Sequence, residues 1–138
     1  MFLLDTNIIS ELIKKQPNPY LLERMEDVPD ASLHTASVCA MELRFGALRV
    51  TNSDALWNKI QKRILSRIQI LHFGYQEAMK AAELLAALYA SGRPIRIEDT
   101  MIASTAISNG LIVVTANTEH FSRIPALPSE NWLLPDPA

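Results

Sequence analysis

Two short runs, Phe2-Leu3-Leu4 near the amino end and Leu111-Ile112-Val113-Val114 late in the chain, are apolar at every position. A strand with this composition must be covered on both faces. Helix-periodic stretches of ten or more residues lie between the runs, and strands separated by such helices pair in parallel, because parallel neighbours need long crossover connections. The chain is therefore expected to be α/β, a three-layer sandwich in which helices flank a central, mostly parallel sheet. With 138 residues, 49% of them hydrophobic, one domain over residues 1–138 suffices to bury the apolar surface. No internal repeat divides it.

Asp5-Thr6-Asn7 favours a turn and a helix start after the first strand, and that helix runs through Leu12 until Pro17 and Pro19 end it. Tyr20 to Asp27 reads as a second helix and Ala31 to Thr35 as a weak strand. Ser37 is the expected N-cap of a helix on which Val38, Glu42, Phe45 and Arg49 share a face. Trp57, Ile60, Ile64 and Ile68 mark the next helix, followed by a short buried strand over Ile68 to Phe73. Ala78, Ala82, Leu85 and Tyr89 stripe a long helix stopped at Ser91-Gly92-Arg93-Pro94, a stripe suited to the core or to a dimer surface. Glu98 to Asn109 forms a helix ended by Gly110, the Leu111 to Thr115 strand follows, and a last strand includes Trp132 to Leu134. Only the proline-rich tail, Pro125 to Pro137, departs in composition.

Three acids interrupt this apolar pattern. Asp5 closes the first strand, and Glu42 and Asp99 each fall on a helix stripe otherwise made of apolar residues. An uncompensated buried carboxylate costs several kcal/mol or takes a proton, so three such positions call for a cation. Ligands of parallel α/β sheets bind beyond the carboxyl ends of the strands, where Asp5 and Asn117 both lie. Mg²⁺ and Mn²⁺ prefer oxygen ligands, and Asp5, Glu42 and Asp99 supply them. Asn117 adds a neutral oxygen or orients a water, and Thr115 can hydrogen-bond a neighbouring carboxylate. A metal held this way suits phosphodiester hydrolysis. Each residue also has a structural alternative: Asp5 as a helix N-cap, Glu42 as a solvated helix residue, Asp99 as a partner of the helix dipole, and Asn117 as a turn former. Glu119 is the fallback acid.

A formal net charge of -2 and a pI near 5.9 give the whole chain no general attraction for nucleic acid, so any such binding depends on uneven placement of charge. Arg44, Lys59, Lys62, Arg63 and Arg67 form the candidate phosphate-binding face, or else a solvated one. The lone Cys39 excludes an intramolecular disulfide and reads as a packing residue, while His34, His72 and His120 lack metal spacing. No apolar stretch approaches the roughly twenty residues of a membrane span. With no signal-like leader either, a soluble chain in a reducing cytoplasm is expected.

Leu3-Leu4-Asp5-Thr6-Asn7, Glu42-Leu43-Arg44-Phe45-Gly46, Ile97-Glu98-Asp99-Thr100-Met101-Ile102-Ala103 and Thr115-Ala116-Asn117-Thr118-Glu119-His120-Phe121 resemble, in order and spacing, the motifs of PIN-domain nucleases. Within them the chain is most similar to the VapC and FitB toxins of type II toxin-antitoxin pairs, sometimes called plasmid stability proteins. The resemblance implies a metal-dependent endoribonuclease that uses Mg²⁺ or Mn²⁺ at Asp5, Glu42 and Asp99, with Thr6, Asn7 and Thr115 in support. It further implies an RNA substrate, a small antitoxin that blocks the metal cleft, and a homodimer or a larger hetero-oligomer that reaches operator DNA only through the antitoxin. Many members carry aspartate where Asn117 stands here, which weakens a second metal site and favours a single ion. Two alternatives stay open: a haloacid-dehalogenase-like phosphatase, which wants a second acid where Asn7 stands, and a catalytically weak binding module of the same fold.

Overall fold

A computed structural model describes residues 1–136; Pro137, the end of the proline-rich tail, and residue 138, the close of the expected domain, lie outside the described residues. The elements run β1 (Phe2–Leu4), α1 (Thr6–Ile13), α2 (Pro19–Asp27), β2 (Leu33–Ala36), α3 (Ser37–Leu48), α4 (Ser53–Arg63), β3 (Gln69–Leu71), α5 (Tyr75–Ala90), α6 (Ile97–Ser108), β4 (Ile112–Val114), α7 (Thr118–Ser122) and β5 (Ser129–Glu130). The strands form one sheet in the order β3-β2-β1-β4-β5, and every neighbouring pair is parallel. The two wholly apolar runs are thus the central pair, β1 beside β4. Strand order reverses between them, and that is where such a sheet opens its ligand crevice.

Successive residues of a strand point to opposite faces, which gives each run two duties. Leu3 and Val113 pack with Ile102, Ala103, Ala106 and Phe121 on one side of the sheet. Leu4 and Val114 pack with Ile8, Ile9, Leu33 and Trp132 on the other. The sixth helix is buried nearly all round, and its polar side chains are satisfied within it: Thr100 Oγ1 donates to Arg96 O at 3.1 Å, and Ser104 Oγ and Thr105 Oγ1 each donate to Met101 O at 2.9 Å. Gly110, at φ 66°, takes the left-handed turn that ends this helix and starts β4. Among the described residues no helix is long and apolar enough to cross a membrane.

Several local expectations shift. Pro19 opens α2 instead of closing α1: Asn18 Oδ1 accepts from Tyr20 N–H at 2.9 Å and Leu21 N–H at 3.1 Å, and Pro19 lacks only a donor that would have no helical partner. Ala36, not Ser37, is the N-cap of α3. The buried face of that helix is Val38, Cys39, Leu43 and Ala47, while Phe45 is 61% exposed; apolar residues on several sides of α3 leave its phase undetermined by periodicity. The same holds for α5, where Ala81 and Leu88 are buried and Ala82 and Tyr89 face outward. The fourth helix stops at Arg63, before Ile68, and β3 is a half-exposed edge strand, not a buried one. The last strand is Ser129–Glu130. Trp132 turns inward instead of pairing, and Leu133 N–H donates to Asn131 Oδ1 at 2.9 Å in the turn that carries it there.

Trp132 is fully buried, edge-on to Phe2 with ring centroids 4.9 Å apart, and its Nε1 donates to Glu130 Oε1 at 3.1 Å. Trp132→Ala should lower unfolding stability in denaturant by about 3–5 kcal/mol. By contrast, Phe45→Ala should cost less than about 1 kcal/mol. Equal losses would show that Trp132 does not anchor this side of the core.

Candidate active site

The backbone N–H of Asp5 donates to Val114 O at 2.9 Å, which seats this residue where the carboxyl ends of β1 and β4 adjoin. Its Oδ1 accepts from Thr6 N–H and its Oδ2 from Thr115 Oγ1, both at 2.8 Å. Asp5 therefore does cap α1, and the other two donors that reach its oxygens, Asn7 Nδ2 at 3.3 Å and Cys39 Sγ at 4.0 Å, are long contacts that a stronger partner can replace. The residue is 3% exposed. Burial pushes its carboxyl above the usual aspartate range; the Thr115 and Thr6 hydrogen bonds oppose that, and repulsion from Asp99 and Glu42 adds to it.

Glu42 reaches the same place from α3, its Oε1 accepting from Thr6 Oγ1 at 2.7 Å. One atom each from Asp5, Glu42 and Cys39 lies within 4.8 Å of the others. Cys39 Sγ sits 4.0 Å from Asp5 Oδ1, and burial pushes its thiol up to about 12. It remains a protonated, weak donor beneath the carboxylates, since only the thiolate is a good metal ligand.

Asp99, in the first turn of α6, stands outside that close trio and is 2% exposed. Arg96, the residue before α6, links it to Glu42. Its Nη2 donates to Asp99 Oδ1 at 3.0 Å and to Glu42 Oε2 at 3.4 Å, and its Nε donates to Asp99 Oδ2 at 3.4 Å. The hydrogen bond to Asp99 pushes the guanidinium pKa further up, so this cation is permanent. His120 flanks the other side, with Nδ1 3.6 Å from Asp99 Oδ2. The three acids expected to gather thus share one neighbourhood, with Asp99 and Glu42 joined through a guanidinium.

Asp5, Glu42, Arg96 and Asn117 line a cleft of about 530 Å³, together with Lys14 and Glu11. Asn117 lies just before α7 and its side chain caps nothing; its N–H donates to Thr115 Oγ1 at 3.0 Å. Asn7 Oδ1 accepts from Ala116 N–H at 3.1 Å and its Nδ2 donates to Asp5 Oδ2 at 3.3 Å. Thr115 and Asn7 therefore lock the loop after β4 to the loop after β1.

None of the five basic residues singled out in the sequence lines this cleft. Lys59 Nζ donates to Ile13 O at 2.8 Å, the Arg44 guanidinium lies 5.3 Å from the Trp57 ring centroid, and Arg67 pairs with Asp30 at 3.0 Å. Among the described residues, Lys62 and Arg63 are the two of the five that stand exposed with no side-chain partner, at the end of α4. Glu119, the fallback acid, is turned toward Arg123 at 3.8 Å. The cations that do face the cleft are Arg96 and Lys14, the latter 2.8 Å from Glu11, whose carboxyl that hydrogen bond holds below its usual range. Both had a signal in the sequence, an acid three residues away on a helix.

The chain matches the PIN domain family over residues 2–127. It belongs to that family. A tRNA(fMet)-specific endonuclease VapC of Shigella flexneri is 36% identical over 131 residues, covering 95% of this chain and 97% of that protein. Among solved structures, VapBC2 from Rickettsia felis bound to a DNA fragment from its promoter superposes with a TM-score of 0.87 at 30% identity, covering 95% of this chain and 98% of that one. FitAcB from Neisseria gonorrhoeae gives 0.88 at 27% identity, over 96% and 98% of the two chains. The all-parallel sheet and its flanking helices are thus those of the PIN fold.

A carboxyl whose pKa is raised by folding resists ionisation, so its contribution to stability falls as pH rises from the unfolded-state value through the raised folded one. Asp5→Asn removes that loss while keeping one acceptor oxygen. In chelator, the urea stability of the variant relative to the native chain should therefore climb as pH rises from about 4, the unfolded-state value. A difference that does not change with pH would contradict the burial argument.

Proposed function

We propose that this PIN-domain protein is a divalent-metal-dependent endoribonuclease and the toxin of a toxin-antitoxin pair. The observation that carries the reading is Asp5, a buried carboxylate at the carboxyl end of the central strand, with Glu42 and Asp99 close enough to repel it. The donor set fits a hard cation. Asp5, Glu42 and Asp99 offer only carboxylate oxygens, Asn117 offers an amide oxygen, and the one nearby sulfur stays protonated. Mg²⁺ or Mn²⁺ bound by these residues supplies charge to the phosphodiester and lowers the pKa of water.

The chain's own residues do the rest. Thr115 and Thr6 fix the Asp5 carboxylate from both oxygens, and Thr6 also aims Glu42. Asn117, with its side-chain amide unengaged in the cleft wall, is the group to orient a water or complete the ligand set. Lys14 and Arg96 are the cations available to RNA phosphates in the cleft, and Lys62 and Arg63 extend that attraction along α4. Asn7 holds Ala116 N–H, so the position where a phosphatase of the dehalogenase type needs its second acid serves as a brace instead.

The relatives suggest the substrate and partners to try. The Shigella protein's name makes tRNA the first substrate to try, and solved neighbours such as VapBC2 and FitAcB are complexes. An antitoxin that inserts a basic side chain into this acidic cleft would neutralise it directly. The outward side chains of α5 (Tyr75, Met79 and Tyr89) and of α3 (Met41, Phe45 and Leu48) are the exposed apolar area for a homodimer or for an antitoxin helix, and promoter DNA would be reached through the antitoxin.

With Mn²⁺ and bulk tRNA the protein should produce discrete fragments, and chelator should stop it. Glu42→Gln and Asp99→Asn should each slow cleavage at least about a hundredfold, and Thr115→Val about tenfold, the scale of losing a ligand and a ligand's support. Circular dichroism should show the helices intact in all three. Cleavage that survives chelator, or undiminished rates in both acid variants, would refute the assignment.

A further inference from the structure

We infer that Arg96 is a resident counter-ion of the acidic site, holding Glu42 and Asp99 in place of a divalent metal and competing with that metal for them. The inference rests on the metal-site reading above and adds to it a residue that lowers the site's apparent affinity.

The geometry is asymmetric in a telling way. The Asp99 and Glu42 side chains are 3% and 20% exposed, while Arg96 is 57% exposed. The guanidinium therefore lies on the solvent side of the acids, over the approach to them. It bonds carboxylates from two separate helices with one nitrogen, Nη2, which ties α3 to the start of α6. Arg96 makes both hydrogen bonds found on Asp99, and the next nearest donor, His120 Nδ1, stands at 3.6 Å. A carboxylate that buried, left without a cation, is strongly destabilising. Arg96 removes that problem as long as no metal is present.

A divalent ion bound to the same oxygens brings like charge beside the guanidinium, and both cannot hold Asp99 and Glu42 at full strength. Metal binding therefore has to break at least part of the Arg96 bridge, and the work of breaking it is subtracted from the observed affinity. The long, half-exposed side chain can swing into the cleft without disturbing the core. Removing its charge should thus weaken the metal-free fold and strengthen metal binding, a pair of opposite effects that a merely structural ion pair does not produce.

The test is Mn²⁺ affinity, read by paramagnetic resonance of the free ion, alongside melting temperature in chelator and in Mn²⁺. Arg96→Gln should bind Mn²⁺ about tenfold more tightly than the native chain, the scale of one charge-assisted hydrogen bond. It should melt lower in chelator and gain more on adding Mn²⁺, whereas Lys62→Gln, which removes a charge outside the cleft, should change neither. If Arg96→Gln does not fold in chelator, Arg96→Lys decides: it keeps the charge but not the fork, and should bind more tightly than the native chain. Mn²⁺ binding of equal strength in the native chain and the deciding variant would overturn the counter-ion role and leave the metal site standing. Failure of native chain, Arg96→Gln and Arg96→Lys alike to bind Mn²⁺ would overturn both.

Discussion

Negative charge buried at the carboxyl end of β1 is the constraint to which the rest of the site answers. Asp5 lies there because the strand before it is wholly apolar and runs through the centre of the sheet, so its first polar residue emerges inside the molecule. Thr115, from the neighbouring strand end, and Thr6, from the helix start, donate to its two oxygens. Those neutral donors do not balance the charge, and Glu42 and Asp99 worsen it. Such an arrangement either holds a proton, as burial inclines Asp5 to do, or draws a cation: Arg96 at Glu42 and Asp99 within the chain, a metal, or a partner's basic side chain.

The fold keeps that charge cluster in place. With every strand pair parallel, the carboxyl ends of β1 and β4 come out side by side, and the loops after them meet through Asn7, Thr115 and Ala116. Two independent apolar clusters clamp the central strands from opposite faces. The acids on α3 and α6 therefore stand on rigid supports. Rigidity matters because a carboxylate group held by packing cannot relax away from its neighbours, and the repulsion is stored for a ligand to relieve.

The outline of this arrangement was legible in the sequence; its details were not. Apolar runs with helix-length spacing define a parallel sheet almost alone, and an acid closing the first run stands out against them. Glu42 and Asp99 were legible as acids among apolar neighbours, although the phase assigned to α3 was off, because Phe45 and Leu48 are apolar yet face outward. Long helices with apolar residues on several sides satisfy more than one stripe, and on α5 the Ala78-Tyr89 stripe, open from sequence to core or dimer surface, has Ala82 and Tyr89 outward. Ser129-Glu130 carries no strand composition and becomes β5 only because β4 offers it an edge. Arg96 carries one signal, Asp99 three residues on, but that spacing does not tell that the guanidinium also reaches Glu42 on another helix. The basic run from Arg44 to Arg67 reads from sequence as either a phosphate-binding or a solvated face, and three of its members are engaged by Ile13 O, Trp57 and Asp30.

Anomalous diffraction from a crystal soaked in Mn²⁺ tests the central claim most directly, because it locates the ion without reference to activity. The expected result is a single strong peak between Asp5, Glu42 and Asp99, at about the 2.2 Å separation of a hard cation from its oxygen ligands, with the Arg96 guanidinium displaced from at least one carboxylate. A map with no peak there at saturating Mn²⁺, and Arg96 still bridging Glu42 and Asp99, would contradict it.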